Sequence, residues 1–256
     1  MPARYRALVE YDGTDFAGFQ AQPDARTVQG VLETALARLS GGTRLPVDGA
    51  GRTDAGVHAS GQVISFTYAG RLSDDRLAAA LNGLLPGDVA IRDLRRAPLR
   101  FHPRYAARYR EYRYTIWDGP RSPLRERTSL QVRTRLDTDA MTRAAAAFRG
   151  RHDFSAFGGA DPQPIRNVHD VLVRRSGHLI TIDVRADAFL RGMVRRMVAG
   201  LIAVGRGTIE EGAIATALAG QEPAFAGAAA PARGLCLRRV VLGRRARQID
   251  GEHEER

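Results

Sequence analysis

The sequence predicts an α+β fold of two similar halves, with mostly antiparallel sheets, helices on one face and a cleft between the halves. Three observations predict it. Short segments of alternating polarity recur along the chain, some of them are joined by hairpin-length connections, and each half also carries amphipathic helical stretches. Short hairpin-linked strands favour antiparallel pairing with helices covering one face. The 256 residues suffice for one large domain or two small ones. The halves are expected at 1–104 and 105–247, followed by a polar tail at 248–256.

The first element is a strand, because Tyr5, Ala7, Val9 and Tyr11 alternate with Arg6, Leu8 and Glu10. DGTDFAG then reads as a loop. From Thr27 to Ser40, the residues Val28, Val31, Leu32, Ala35, Leu36 and Leu39 share one helical face, and Gly41-Gly42 stops the helix. A short strand leads into the glycine-rich GAGRTDAGVH segment, and Gln62 to Tyr68 alternates again. Ser73 caps a helix with Asp74 and Asp75 in its first turn and Leu77, Leu81 and Leu84 behind them. LPGD is a turn before the strand VAIRDL. In the second half, Glu111 to Trp117 reads as a strand and Asp137 to Arg149 as a helix ended by Gly150. The runs 171–175 and 179–184 flank a short hairpin connection. Leu190 to Val204 is a strongly apolar helix closed by Gly205, and a shorter helix follows near 209–218. Residues 219–234, rich in Ala, Gly and Pro, read as a loop before a last strand, LCLRRVVL.

Charge narrows the partners. Lys plus Arg total 39 against 28 Asp plus Glu, giving +11, and the chain contains no lysine, so every one of those cations is arginine. Planar, always-charged guanidinium forks suit phosphates and base edges, and a polyanion such as nucleic acid is the expected partner. No apolar run approaches the roughly 20 residues of a membrane span, and MPARYRALVEYDG lacks a signal-peptide core. A cytoplasmic protein is expected. Cys236 is the single cysteine, so an internal disulfide and a cysteine-based zinc site are ruled out. It lies in an apolar run and reads as a small buried hydrophobe.

GAGRTDAGVHASGQV, Gly49 to Val63, is the most informative stretch. Its four glycines allow close backbone approach to a ligand, and it presents Arg52, Asp54 and His58 together. It resembles the signature of the tRNA pseudouridine synthase A family, AGRTDAGVHxxGQV. The resemblance extends over about residues 5 to 242. EYDGTDFAGFQAQP is similar to the family's opening motif, with Phe19 where Trp is usual, which keeps an aromatic ring but loses an indole donor. LNGLLPGDVAI, FHPRYAARYREYRY, HDFSAF and ADAFLRGMVRRMVAG match further family segments, with Pro103 in place of the commoner Ala. The resemblance implies that Asp54 is the catalytic nucleophile, that Arg52 positions an extruded nucleotide, that Tyr112 lies against the target base and that Arg195 belongs to the site. It also implies uridines at tRNA positions 38 to 40 as substrate, a homodimer whose subunits both touch each tRNA, and no cofactor.

The chemistry asks for these residue types on its own terms. Pseudouridine formation breaks the N1–C1′ bond and joins C5 to C1′; nothing is oxidised and nothing leaves, so neither metal nor redox cofactor is required. A nucleophilic carboxylate can hold either the sugar through C1′ or the base through C6. A neighbouring guanidinium favours its ionised form; Arg195, on an otherwise apolar helix, suits that role. The target base must leave the stack and lie against an aromatic face, which Tyr112 can offer, with a hydroxyl able to relay the C5 proton. Tyr112 and Tyr114 share a strand face, and Tyr114 reads as packing. His58, His102 and His152 lack a metal-ligand spacing and read as hydrogen-bonding or RNA-contacting histidines. Arg104, Arg108, Arg110 and Arg113 are candidate phosphate contacts. Beside the isomerase stands one alternative, a non-catalytic RNA-binding protein of the same fold. An Asp-nucleophile hydrolase lacks the second carboxylate or metal cluster it would need.

Overall fold

The computed structural model describes residues 1–220 and 229–243. In chain order the elements are β1 (Ala3–Tyr11), α1 (Val28–Leu39), β2 (Asp48–Gly49), β3 (His58–Tyr68), α2 (Asp74–Leu84), β4 (Val89–Ala97), α3 (Pro103–Ala106) and β5 (Ala107–Trp117). Then follow β6 (Leu130–Gln131), α4 (Thr138–Ala145), β7 (Gly150–Asp153), β8 (Ile165–Ser176), β9 (Leu179–Ala186), α5 (Met193–Gly205), α6 (Ala213–Leu218) and β10 (Leu235–Leu242). The mixture of strands and helices is the expected α+β fold. The expected polar tail at 248–256 lies outside the described residues.

The strands of both halves join in a single sheet of order β4-β1-β3-β10-β5-β9-β8-β7, with β2 pairing β3 and β6 pairing β5. Pairing is antiparallel except for two short parallel joints, β10 with β3 and β5 with β6. The first of these is the seam between the halves: Cys236 pairs with His58 and Leu237 with Ala59, where the glycine-rich loop enters β3. A continuous cluster of buried side chains runs through both halves, from Tyr5, Val9, Leu32 and Leu77 to Ile182, Met197 and Leu201. Among the described residues, no helix is long and apolar enough to cross a membrane.

Local signals set most boundaries. Thr27 caps α1 by accepting the Gly30 N–H at 3.2 Å, and Ser73 caps α2. Asp137 caps α4 by accepting two N–H groups at 2.9 Å. Other boundaries move. β3 starts at His58 and β5 at Ala107, earlier than alternation alone suggests, because β10 supplies ladder partners there, Cys236 for His58 and Leu242 for Ala107. The helix expected at 137–149 is α4 followed by a 3₁₀ turn at Ala146–Phe148. α5 starts at Met193, not at Leu190, because Gly192 takes the left-handed conformation at φ 71° and ends the preceding turn.

Candidate active site

The segment 50–57 crosses from β2 to β3 and is held on both sides. The Ala50 N–H donates to the Val63 carbonyl at 2.8 Å, and Gln62 Nε2 donates to the Gly51 carbonyl at 2.6 Å. On the other side lies the 12–19 loop. The Phe19 N–H donates to the Thr53 carbonyl at 3.1 Å, and the Gly56 N–H donates to the Phe16 carbonyl at 3.2 Å. The Tyr11 and Thr53 hydroxyls lie 2.8 Å apart. This contact leaves no room for side chains at two glycines. A Cβ on Gly13 would lie 2.0 Å from the Val57 carbonyl oxygen, and one on Gly18, whose φ is +105°, would lie 2.9 Å from that of Thr53.

Asp54 sits at the centre of this braced loop with its carboxylate partly exposed, 32% for the side chain. Arg195, from α5, brings Nη1 to 3.6 Å from Asp54 Oδ2 and is itself 23% exposed. The pair thus joins residues from opposite halves across the seam. Tyr112, on β5 between Leu237 of β10 and Val184 of β9, is 7% exposed and meets Phe189 edge to face at 5.0 Å. Burial pushes its hydroxyl up to about 12; the Arg110 guanidinium opposes this and the Asp54 carboxylate adds to it. The Tyr112 hydroxyl therefore stays protonated at neutral pH. Arg52 is exposed on the same loop. The structure brings Asp54 and Arg195 together, places Tyr112 within the electrostatic reach of Asp54, and leaves Arg52 exposed on the same loop.

Arg110 departs from expectation. It is not a surface phosphate contact but a buried brace, 7% exposed, donating through Nε to the Ala50 carbonyl at 3.1 Å and through Nη1 to the Asp187 carbonyl at 2.9 Å. The signal was present: Arg110, Tyr112 and Tyr114 alternate on β5 and so share its inner face. Arg113 also turns away from that role, gripping Asp183 with two hydrogen bonds of 2.7 and 2.9 Å. Arg104 and Arg108 are exposed.

The histidines take hydrogen-bonding positions. His58 Nδ1 lies 3.1 Å from both the Gly13 N–H and an Asp12 carboxylate oxygen, and Nε2 lies 3.1 Å from the Arg233 carbonyl. His102 caps α3, and His152 Nε2 lies 2.7 Å from the Arg149 carbonyl. Among the described residues no three His, Cys, Asp or Glu side chains are grouped to hold a metal. Cys236 is partly buried with Sγ 3.9 Å from Ser60 Oγ, and burial pushes its thiol up. Phe19 is buried, its ring against Tyr11 at 6.5 Å and so close to Gly49 that a Cβ there would lie 2.5 Å from it.

Comparison with known proteins fixes the class, an RNA-modifying isomerase. A family described as tRNA pseudouridine synthase matches residues 7–106 and 144–241, and the chain belongs to that family. It is 46% identical over 236 residues to the tRNA pseudouridine synthase A of Pelobacter propionicus, covering 91% of this chain and 96% of that one. Identity to the Moorella thermoacetica tRNA pseudouridine synthase A is 46% over 243 residues, 92% of this chain and 98% of that one. The corresponding figures for Myxococcus xanthus are 43% over 242 residues, 93% and 91%.

Proposed function

We propose that this protein isomerises uridine to pseudouridine in the tRNA anticodon stem-loop, at positions 38, 39 and/or 40, with Asp54 as the nucleophile. Arg195 faces the Asp54 carboxylate, Tyr112 lies against the everted uracil, and Arg52 occupies the space the base leaves. The observation that carries this reading is the partly exposed Asp54 carboxylate 3.6 Å from Arg195 on a loop fixed from both sides. Preorganisation of this kind puts the attacking oxygen in place before the substrate arrives. In the reaction the N1–C1′ bond breaks, C5 bonds to C1′, the C5 proton departs and N1 takes up a proton. Atoms and electrons balance without an oxidant or a cofactor. The protein works as a cytoplasmic homodimer, whose joined basic surfaces hold the tRNA body by shape and backbone while one site reaches the anticodon arm. Segments 1–104 and 105–247 act as the two walls of the site.

Tritium release from 5-tritiated-uridine tRNA tests the reading. The parent protein releases tritium and Asp54→Ala does not. Asp54→Asn abolishes release while tRNA affinity stays within about threefold, since the amide preserves the shape of the carboxylate. Binding by the parent without release leaves an RNA-binding protein instead. A large affinity loss in Asp54→Asn makes Asp54 a binding or folding residue.

A further inference from the structure

The main chain of residues 230–233 lies against the site and is fixed from several directions. Arg195 Nε donates to the Ala230 carbonyl at 2.6 Å, and the Ala230 N–H donates to the Arg195 carbonyl at 3.0 Å. The Tyr114 hydroxyl donates to the Pro231 carbonyl at 2.8 Å. His58 Nε2 lies 3.1 Å from the Arg233 carbonyl; a carbonyl only accepts, so this ring nitrogen carries the hydrogen. A Cβ on Gly56, two residues from Asp54, would lie 3.2 Å from that of Ala232.

We propose that Tyr114 is a positioning residue for Arg195. Its hydroxyl fixes the Pro231 carbonyl, the adjoining Ala230 peptide holds Arg195 Nε, and Nη1 of the same guanidinium faces Asp54. A free arginine side chain has many rotamers, and a guanidinium tied at Nε has lost most of that freedom. Without the tie the 3.6 Å approach to Asp54 would be one arrangement among many. The Tyr114 ring cannot drift: it is fully buried, and Gly234 packs so tightly on it that a Cβ there would lie 2.6 Å from the ring. Burial raises the hydroxyl well above its ordinary value, against the pull of Arg195 and Arg233, so it stays a neutral donor throughout the working pH range. Tyr114 touches neither Asp54 nor, in the proposed geometry, the uridine. Its effect on the reaction passes through Arg195.

The inference rests on the reading of Asp54 and Arg195 given above, and a double-mutant cycle separates the two. Single-turnover tritium release is measured for the full chain, Tyr114→Phe, Arg195→Lys and the double variant, alongside tRNA affinity and circular dichroism. Tyr114→Phe keeps the buried ring and removes one hydroxyl. Loss of positioning is expected to slow release at least about tenfold with affinity changed less than about twofold, in line with the rate cost of small misplacements. Lysine has no Nε donor for Ala230, so in the Arg195→Lys background Tyr114→Phe is expected to change the rate by less than about twofold. An equal slowing in both backgrounds would make Tyr114 a general packing residue and overturn the inference. So would an unchanged rate in Tyr114→Phe when Arg195→Lys is slow. If Arg195→Lys itself turns over at the parent rate, the reading of Arg195 fails, and the inference fails with it.

Discussion

Gly18 shows how single residues set the position of the carboxylate at 54. Its backbone lies against residues 53–55 with φ at +105°, a region that side chains rarely adopt, and the Phe19 N–H beside it holds the Thr53 carbonyl. Gly18→Ala introduces a Cβ 2.9 Å from that carbonyl oxygen in a strained conformation, so the loop carrying Asp54 has to shift. Turnover is expected to fall about a hundredfold while the protein stays folded, checked by single-turnover tritium release beside circular dichroism. Much of this was legible in the sequence. The family resemblance singled out Asp54, and the glycines of GAGRTDAGVH were read as allowing close approach of the backbone to a ligand. What approached the loop was not legible. Phe16, Phe19 and Arg110 come from other segments, and no local pattern says which loop will touch which.

Elements are joined by polar contacts as well as by the sheet. At the end of β5, the Asp118 side chain is fully buried and takes two hydrogen bonds from Arg175 of β8, at 3.1 and 2.8 Å. The Leu136 N–H, just before α4, also donates to it at 3.2 Å. Burial disfavours its charge, but the Arg175 hydrogen bonds and the Leu136 N–H outweigh this and hold the carboxyl below its ordinary value. The pair therefore ties β5, β8 and the start of α4 together. Arg175→Ala leaves a buried carboxylate without its main partner and is expected to cost about 3 kcal/mol in urea denaturation. The pH sign follows from the direction of the shift. A carboxylate lowered in the folded state stabilises above its unfolded value of about 4, and the stabilisation fades as pH falls through the lower folded value. The parent should lose stability below about pH 4 more steeply than Arg175→Ala, measured by urea midpoints across that window. Equal slopes would show that Asp118 is not the acid-sensitive group. The end of β5 at Trp117 was readable from alternation, but the partner of Asp118 was not, since Arg175 lies across a hairpin and a helix from it.

Across the whole molecule, the excess of arginine is the property that reaches the substrate. Many arginines are committed to carboxylates: Arg26 to Asp88, Arg127 to Asp12 and Asp15, Arg143 to Glu211, Arg149 to Asp170. The formal charge of +11 remains after every acid is counted. Binding of tRNA should therefore release counterions, with log affinity falling linearly with log salt. Between about 50 and 200 mM salt the affinity is expected to drop at least about a hundredfold, with the rate of a bound tRNA changing far less. A filter-binding series in monovalent salt checks this, and a flat response would remove the electrostatic account of recognition.

Apart from the short elements α3, β6 and β7, which no local pattern marked, the element types, the boundaries of α1, α2 and β10 and the family of the protein were determined by the sequence alone. The capping residues, alternations and motifs that carry them lie within a few positions of one another. Only the tertiary structure decided that both halves share one sheet, that β3 and β10 meet in parallel at the mouth of the loop carrying Asp54, and that Arg110 is a brace. It also set the 3.6 Å approach of Arg195, the arginine already expected beside Asp54, and the hydrogen bond from Tyr114 to the Pro231 carbonyl. These contacts join residues far apart in the chain. Their formation depends on how sheet, helix and loop pack together, and short-range propensity carries no record of that packing.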